Sequence, residues 1–388
     1  MTKPVVAHIL PSYLPVSQTF IYRYLSKLRT VTPIILAGEL NNLASFPVRS
    51  RLYDCSSHPY SLRWMIYGFG KRFLGDLDAY RRMILKLNRV KLLHAHFGPT
   101  GYDILMTKQR LKLPLITTFY GCDMSRLPRL KKWQDKYEEL FDNGDLFLVE
   151  GNNMKRELTH LGCPPEKIKI QHIAIDTDQF RFRKRLPKSI GNVILLFCGR
   201  FTEKKGLIYA LMALRHVMPQ FPNIEFRIVG DGQLRSEVET YINENRMGDK
   251  VKLLGMMSHD AVVKEMEAAD IFIQPSVTAK NGDTEGGAPT IILEAQSAGV
   301  PVLTTYHADI PEIVVPGKSA LLSMERDSES LAENLMSLLS NQQKWIEMGK
   351  VGREHVERKH NIFREVIKLE RIYYEILGLD IKNNIRKA

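Results

Sequence analysis

Residues 285–304 read EGGAPTIILEAQSAGVPVLT, and this stretch indicates the fold more directly than any other part of the chain. Gly286 and Gly287 allow the backbone to approach a ligand closely. Pro289 and Thr290 suit the first turn of a helix. Apolar residues continue the helix until a later glycine and proline end it before a strand. The stretch therefore predicts a loop of free amides at a helix N-terminus, which is a suitable site for an anion.

Two carboxylates flank this loop. Glu285 directly precedes the glycines of the loop, and Glu294 lies one turn inside the predicted helix. A helix cap with a purely structural role needs neither the double glycine nor an acidic residue on the buried side. The pattern therefore favours a ligand site over an ordinary helix start.

The length and composition of the chain indicate the broad class of protein to which it belongs. The chain has 388 residues, of which 44% are hydrophobic and 25% charged, as in a globular protein with two domains. No run reaches the roughly 18 apolar residues of a membrane span, and the first apolar run indicates a strand rather than a signal peptide. The four cysteines form no CxxC pair, which predicts reduced thiols and a cytoplasmic location.

The net charge of +12 is unevenly distributed, since residues 1–185 carry +14 and the remainder −2. Cations alternate with aromatic and apolar residues between Ser61 and Lys91. This alternation fits a segment lying on an anionic membrane at the inner face of the cell membrane. A solvated helical face above core aromatics is the other interpretation. Nucleic acid is not an expected partner, because no motif typical of nucleic-acid binding accompanies the charge.

Short apolar runs alternate with helical stretches along the whole chain, which predicts an α/β protein with two parallel, Rossmann-like sheets. One of the predicted helices covers residues 101–111. The predicted strands are 5–10, 32–37, 92–96, 115–119 and 146–149 in the first half and 193–198, 225–229, 251–253, 271–274, 302–305 and 320–322 in the second.

We expect an N-terminal domain over residues 1–180 and a C-terminal domain over residues 190–360. Residues 181–191 are a plausible linker. The tail over residues 361–388 has helical period and is predicted to pack back on the first domain. In such pairs of domains, the ligand site is expected in the cleft between the carboxyl ends of the two sheets.

The loop GRFTEKKG, residues 199–206, follows a predicted strand and opens a helix. It places Arg200 and Lys205 where a phosphate would meet a helix N-terminus. The P-loop pattern GxxxxGK[ST] is absent. The segment VGDGQLR, residues 229–235, also follows a strand but lacks the third glycine of a dinucleotide fingerprint, which disfavours a dehydrogenase. We interpret Gly230, and likewise Met256 after the next strand, as bordering a nucleotide base, with an ordinary turn as the alternative at both positions.

These motifs, together with ADIFIQPS at residues 269–276, occur in an order that resembles the family 4 glycosyltransferases, which are retaining enzymes of the GT-B fold. The resemblance covers nearly the whole chain. The segments PVSQTF at 15–20, HAHFG at 94–98 and TTFYGCD at 117–123 are similar to the branch that builds bacterial exopolysaccharides, including the colanic-acid type.

The resemblance implies roles for individual residues. Arg200 and Lys205 would clamp the donor diphosphate, Glu294 would hold the ribose hydroxyls, and Glu285 would lie near the sugar. Polar contacts at the reaction centre would come from His96 and Tyr120. The loop Gly286, Gly287, Ala288, Pro289 and Thr290 would contact the donor phosphate and sugar, and Ser17, Gln18 and Thr19 would form an acceptor-side loop.

The chain departs from the family pattern at two positions. Glu285 and Glu294 are nine residues apart rather than eight, so Asp283 is a candidate to replace Glu285. Tyr120 stands where the family commonly has histidine, and tyrosine cannot act as a base near neutrality without a large pKa shift. A front-face retaining transfer does not require a protein base, because the departing phosphate oxygen can take the acceptor proton.

No metal and no cofactor are expected, since the family is generally metal-independent. Asp176-Thr177-Asp178 spells the DxD pattern that holds a metal in another glycosyltransferase fold, but here it falls in the position of a polar turn.

The sequence thus predicts a retaining hexosyltransferase with UDP-glucose or another UDP-hexose as donor. The predicted acceptor is a glycan or lipid-linked glycan in polysaccharide biosynthesis. A nucleotide-sugar epimerase, a phosphorylase and a non-catalytic scaffold on the same fold are the alternatives.

Overall fold

The computed structural model describes residues 3–15, 18–40, 42–47, 50–55, 78–189 and 191–380. The chain divides into two compact units. The first unit comprises Met1–His172 and Ile362–Ala388, and the second comprises Ile173–Asn361.

The first unit is built on a parallel sheet with the strand order β3-β2-β1-β4-β5-β6-β7. Five of its strands coincide with predicted ones, to within one residue at each end. The two edge strands, β3 and β7, were not predicted, because they are short and only partly buried and so lack a continuous apolar run. The strands among the described residues are β1 Val5–Leu10, β2 Thr32–Ala37, β3 Arg51–Asp54, β4 Leu92–His96, β5 Leu115–Thr118, β6 Leu146–Val149 and β7 Ile168–Ile170.

The second unit contains another parallel sheet, with the order β10-β9-β8-β11-β12-β13. All of these strands coincide with predicted ones to within two residues at each end. The strands are β8 Val193–Cys198, β9 Ile224–Val229, β10 Val251–Gly255, β11 Ile271–Gln274, β12 Val302–Thr305 and β13 Ala320–Ser323. The predicted α/β class with two Rossmann-like parallel sheets is therefore confirmed.

Helices connect the strands in both units. In the first unit they are Thr19–Lys27, Ala79–Leu87, Gly98–Asp103, Leu105–Leu111, Cys122–Ser125, Lys131–Asn143, Asn152–His160 and Ile362–Ile376. In the second they are Leu207–Val217, Arg235–Glu244, His259–Ala268, Thr290–Ser297, Ile310–Ile313, Ser328–Ser340 and Trp345–Lys359.

One predicted helix differs from the structure. The sequence indicated a single helix over residues 101–111, whereas the structure has two, which meet at Ile104. The first of them begins at Gly98, directly after Phe97, whose φ of 75° is unusual for a residue with a side chain. The positive φ turns the chain sharply from β4 into the helix.

The tail helix Ile362–Ile376 packs on the first unit through its apolar face. Two of its polar residues also anchor it there. The Glu370 carboxylate accepts hydrogen bonds from the backbone N–H groups of Arg29 and Thr30 at 2.6 and 2.5 Å. The Tyr374 hydroxyl donates to the Thr30 carbonyl at 2.9 Å. Because the donors are backbone groups, the helix is fixed in position as well as covered.

Candidate functional site

The loop after β8 touches the loop after β11 at the carboxyl edge of the second sheet. Gly206 caps the following helix with a φ of +67°, and a Cβ there would lie 1.8 Å from the Pro275 carbonyl oxygen. The backbone N–H of Val277 donates to the Lys204 carbonyl at 2.9 Å. Glycine is therefore required at position 206, both for the conformation and for the close approach of the two loops.

The turn after β9 lies against the same loop. Gly230 has a φ of +132°, and a Cβ there would lie 2.0 Å from the Gly199 carbonyl oxygen. Its N–H donates to the Gly255 carbonyl at 2.8 Å. Met256, which follows β10, is 68% exposed. Gly230 is thus explained by backbone packing, and a contact of either residue with a nucleotide base stays a prediction.

Lys205 and Glu285, which are 80 positions apart in sequence, form a largely buried ion pair with 3.0 Å between Nζ and Oε2. The Ser276 hydroxyl donates to the other carboxylate oxygen at 2.9 Å. Burial by itself raises the pKa of Glu285, but the charges of Lys205 and Lys204 outweigh it and the pKa lies below its ordinary value. The Glu285 carboxylate is therefore ionised and held in a fixed orientation.

Asp283 occupies a different position from Glu285. Its carboxylate lies 3.1 Å from the Lys204 Nζ, and the same ammonium donates to the Thr284 carbonyl at 2.8 Å. Each lysine thus has its own acidic partner on this loop. Lys205 faces Glu285 despite the nine-residue spacing, so the structure gives no support for Asp283 in place of Glu285.

A histidine not identified from the sequence supports the Glu285 loop. The Glu285 N–H donates to Nε2 of His307 at 3.1 Å. Because Nε2 accepts, Nδ1 carries the proton and donates to Glu325 at 2.6 Å. The Thr278 N–H also donates to Glu325, at 2.7 Å. His307 and Glu325 each follow a strand by two residues, so the rule that polar residues after strands gather at one sheet edge could have identified them.

Glu294 lies inside the helix Thr290–Ser297 and is 6% exposed. The charge of Glu294 acts on the Cys198 thiol at the end of β8, which locates the carboxylate near that strand end. Burial raises the pKa of the Cys198 thiol to about 12, the Glu294 charge adds to the rise, and the Lys205 charge opposes it. Glu294 and Lys205 therefore both lie near the end of the central strand β8. The helix begins at Thr290, with Pro289 as the capping residue before it rather than within the first turn.

The remaining predicted donor residues border this edge. Gly286 has a φ of +78°, and the Gly287 carbonyl accepts from the Asp309 N–H at 3.3 Å. Ala288 is buried beside the helix start. Arg200 is exposed in the loop after β8, and no acidic residue in the described part of the chain pairs with its guanidinium.

In the first unit, β4 and β5 bring His96 and Tyr120 together. Nδ1 of His96 lies 2.8 Å from the Tyr120 hydroxyl. The Asp123 carboxylate accepts from the N–H groups of Gly98 and Tyr120, both at 3.0 Å, and so joins the two loops. Burial raises the pKa of Asp123 to about 6. Burial, with the charges of Glu150 and Asp123, also raises the pKa of Tyr120 well above its ordinary value, so the hydroxyl stays protonated.

Two further histidines lie beneath His96. His8 in β1 pairs with His94 in β4 across the ladder, and Nδ1 of His8 is 3.1 Å from Nε2 of His96. Candidate ligand atoms of the three histidines lie within 4.8 Å of one another. The rings of His94 and His96, however, stack at 4.5 Å with 21° between their planes. Nitrogen lone pairs lie in the ring planes, so these two rings cannot direct them at one ion.

The described part of the predicted acceptor-side loop leads into a helix whose second residue contacts Tyr120. Thr19 begins the helix Thr19–Lys27, and Gln18 precedes it. The ring of Phe20, the next residue in that helix, lies 5.0 Å from the Tyr120 ring. Ser17 lies outside the described residues.

The sequence of the chain matches two family profiles that together cover most of its length. Residues 178–355 match "Glycosyl transferases group 1", and residues 21–179 match "Glycosyltransferase Family 4".

The curated relatives include WcaL of Escherichia coli K12, which is named as a proposed colanic acid biosynthesis glycosyltransferase. It is 32% identical over 73% of this chain and 69% of its own length. The chain belongs to the family 4 glycosyltransferases. WcaL of Salmonella typhimurium is 35% identical over 62% of this glycosyltransferase. The match covers 59% of that relative, so the chain spans about three fifths of its length. The amylovoran biosynthesis glycosyltransferase AmsK of Erwinia amylovora is 33% identical over 69% of this chain and 65% of its own length.

Solved structures share the fold of this glycosyltransferase. Anabaena HepE in complex with UDP has a TM-score of 0.78 at 14% identity, covering 96% of this chain and all of HepE. Sucrose-phosphate synthase of Thermosynechococcus elongatus has a TM-score of 0.73 at 16% identity, covering 97% of this chain and 99% of that chain. The family and the fold class predicted from the sequence are both confirmed.

Proposed function

We propose that this chain is a retaining, metal-independent hexosyltransferase that moves a sugar from a UDP-linked donor to a glycan or lipid-linked glycan during exopolysaccharide biosynthesis. The curated relatives support the pathway, since they are named for colanic acid and amylovoran biosynthesis. HepE, whose fold the chain shares, has been crystallised with UDP and with UDP-glucose, which supports UDP-glucose as the first donor to test.

The observation that carries the proposal is the arrangement at the carboxyl edge of the second sheet. Lys205 lies near the end of β8, and the exposed cation Arg200 follows that strand by two residues. Glu294 lies near the same strand end. The helix beginning at Thr290 has no side-chain cap, and the first N–H groups of a helix have no partner within it. Cations and free amides suit a diphosphate, and a carboxylate suits ribose hydroxyls.

The reaction separates charge, and the groups at this sheet edge are suited to stabilise the negative charge that develops. The bond from the anomeric carbon to the diphosphate oxygen breaks, while a bond to the acceptor oxygen forms on the same face of the sugar. The acceptor proton passes to the departing phosphate oxygen, so no protein base is needed. Arg200, Lys205 and the loop amides would stabilise the negative charge that develops on the UDP leaving group. The carboxylate of Glu285, fixed by Lys205 and Ser276, would hydrogen-bond the sugar hydroxyls.

The proposal is tested with a panel of UDP-hexoses in EDTA, with lipid-linked glycans extracted from membranes as acceptor. We expect UDP release that depends on the acceptor, and a product that keeps the anomeric configuration of the donor by NMR. Product of inverted configuration would contradict retention, and loss of turnover in EDTA would contradict metal independence. Acceptor-independent interconversion of the donors would instead indicate an epimerase, and no turnover at all would favour a scaffold.

We also propose that the basic first unit contacts an anionic membrane surface from the cytoplasmic side. Among the described residues, no helix combines the length and apolarity needed to cross a membrane. Residues 61–77 of the predicted contact segment lie outside the described residues. In the described remainder, the helix Ala79–Leu87 exposes Met83 and Leu87 next to cationic side chains, a combination that suits an interfacial surface.

Charge reversal at Lys86, Arg89 and Lys91 should reduce sedimentation with phosphatidylglycerol vesicles several-fold, with little change on phosphatidylcholine. The matched control reverses three exposed cations of the second unit, Arg215, Lys264 and Lys350. Equal losses in both variants would show a response to net charge and would contradict the assigned surface.

A further inference from the structure

One carboxylate in the second unit, that of Glu325, holds two distant points of the loop after β11. Its Oε2 accepts from the backbone N–H of Thr278 at 2.7 Å. Its Oε1 lies 2.6 Å from Nδ1 of His307, and Nε2 of the same ring accepts from the backbone N–H of Glu285 at 3.1 Å. A single acidic side chain therefore fixes residue 278 directly and residue 285 through an imidazole.

The position of the proton on His307 follows from its two partners. The ring is 2% exposed. A backbone N–H can only donate, so Nε2 accepts from Glu285 and Nδ1 carries the proton. Burial by itself raises the pKa of Glu325, but the hydrogen bonds from His307 and Thr278 outweigh it and the pKa lies below its ordinary value. The ionised Glu325 carboxylate therefore holds the imidazole in the one tautomer that can accept from the loop.

Glu285 is thus fixed at two separate levels. Its carboxylate is oriented by Lys205 at 3.0 Å and by Ser276 at 2.9 Å, whereas its main chain is held by His307. A ligand can compete for the side-chain contacts, but the carboxylate reaches that ligand only if the main chain stays in place. A misplacement of about 1 Å in a positioning group can cost about 100-fold in rate.

The middle of the loop is held by contacts that do not involve the histidine. The Asp283 carboxylate lies 3.1 Å from the Lys204 Nζ. The backbone N–H of Lys280 donates to the Glu203 carboxylate at 2.9 Å. Loss of the imidazole is therefore expected to displace the end of the loop at Glu285 and to leave the rest of the loop in place.

We propose that His307 and Glu325 are positioning residues that hold the Glu285 carboxylate where it can bind the sugar of the nucleotide-sugar donor. The identity of this ligand rests on the proposed function. The diphosphate is assigned to Arg200 and Lys205 in the loop after β8, so the pair acts on the sugar part of the donor and leaves the UDP part largely unaffected.

The tautomer of His307 tests the proposal without turnover. In protein labelled with ¹⁵N-histidine, two-bond and three-bond correlations distinguish the protonated ring nitrogen, and His307→Gln assigns the signal. We expect the proton on Nδ1 near neutral pH. A proton on Nε2 would place an N–H against the Glu285 N–H and would overturn the proposal, whether or not the protein transfers sugar.

Glu325→Gln tests the link between the two points of the loop. The glutamine amide has one oxygen for two donors, so either the Thr278 N–H loses its acceptor or His307 takes the other tautomer and the Glu285 N–H loses its own. We expect faster hydrogen exchange of one of these two amides. Unchanged exchange of both would overturn the proposed link.

Two substitutions at His307 separate positioning from a merely structural role. We expect kcat/KM for the UDP-hexose to fall about 10- to 100-fold in His307→Leu, while the affinity for UDP stays within about 3-fold. His307→Gln should recover most of the loss, because its side-chain oxygen can accept from Glu285. His355→Leu is the matched control, since this buried histidine of the same unit contacts the Glu312 carbonyl instead.

Equal losses of UDP affinity and kcat/KM in His307→Leu, or no recovery in His307→Gln, would show a structural role and would contradict positioning. Unchanged kcat/KM in His307→Leu would contradict it as well. If the wild-type protein transfers no sugar, the proposed function fails, while the tautomer and the amide exchange still decide whether the pair fixes the loop.

Discussion

Replacing Lys205 with alanine should weaken UDP binding about 30- to 150-fold, as expected for the loss of one charge-assisted hydrogen bond of about 2–3 kcal/mol. The same change leaves the buried Glu285 carboxylate without its ion-pair partner. Removing one partner of a buried pair typically costs about 3–5 kcal/mol, so the free energy of unfolding of the second unit should also fall. Calorimetric titration with UDP measures the first effect, and hydrogen exchange of the β8 and β11 amides measures the second.

The double variant Lys205→Ala, Glu285→Gln separates the two effects. Neutralising Glu285 removes the uncompensated charge, so most of the stability should return while UDP binding stays weak. Lys318→Ala is the control, because Lys318 is exposed in the second unit and should change neither quantity. Recovery of UDP affinity in the double variant would show that Lys205 serves only to neutralise Glu285, and would contradict the diphosphate clamp.

Lowering the pH from 7.5 to 5.5 should destabilise the first unit by a few kcal/mol. His8, His94 and His96 stay neutral in the folded protein, because burial lowers the pKa of each, whereas in the unfolded chain they take up protons below about pH 6.5. Stability is therefore lost as the pH falls through 6.5, by roughly 1 kcal/mol for each histidine at pH 5.5. Asp123 opposes this by about 1 kcal/mol, since its pKa is raised to about 6 and it binds a proton more readily when folded.

Hydrogen exchange of the β1 and β4 amides measures this loss once it is corrected for the pH dependence of the intrinsic exchange rate. His8→Leu should reduce the change between pH 7.5 and 5.5 by about a third of the histidine contribution. His216→Asn, at an exposed position of the second unit, should leave it unchanged. Greater stability of the first unit at pH 5.5 would contradict neutral, buried histidines.

The strands of both sheets could largely be predicted because each central strand is a short apolar run followed by a polar or glycine-rich loop. β8, VILLFC, shows the pattern most clearly. The edge strands β3 and β7 escaped prediction because an edge strand needs no continuous apolar face. The break at Ile104 was not predictable either, since the residues on both sides of it form helix.

The structure brings together two second-unit residues that the sequence singled out, but it pairs them in a way that the sequence did not predict. Lys205 and Glu285 were each identified from their motifs, yet nothing in a sequence states that positions so far apart form an ion pair. His307 and Ser276 were missed as supports of Glu285, because their role depends on distances that only the fold fixes. His8 escaped for a related reason. It lies within β1 rather than after it, and only the register of β1 with β4 brings it beside His94.

The measurement that tests the central claim most directly is calorimetric titration of the wild-type protein and the Lys205→Ala variant with UDP and UDP-glucose in EDTA. We predict that the wild-type protein binds both ligands without added metal and that the variant binds UDP about 30- to 150-fold more weakly. Absence of binding to the wild-type protein, or equal affinity in the two proteins, would contradict a diphosphate clamp at the carboxyl edge of the second sheet.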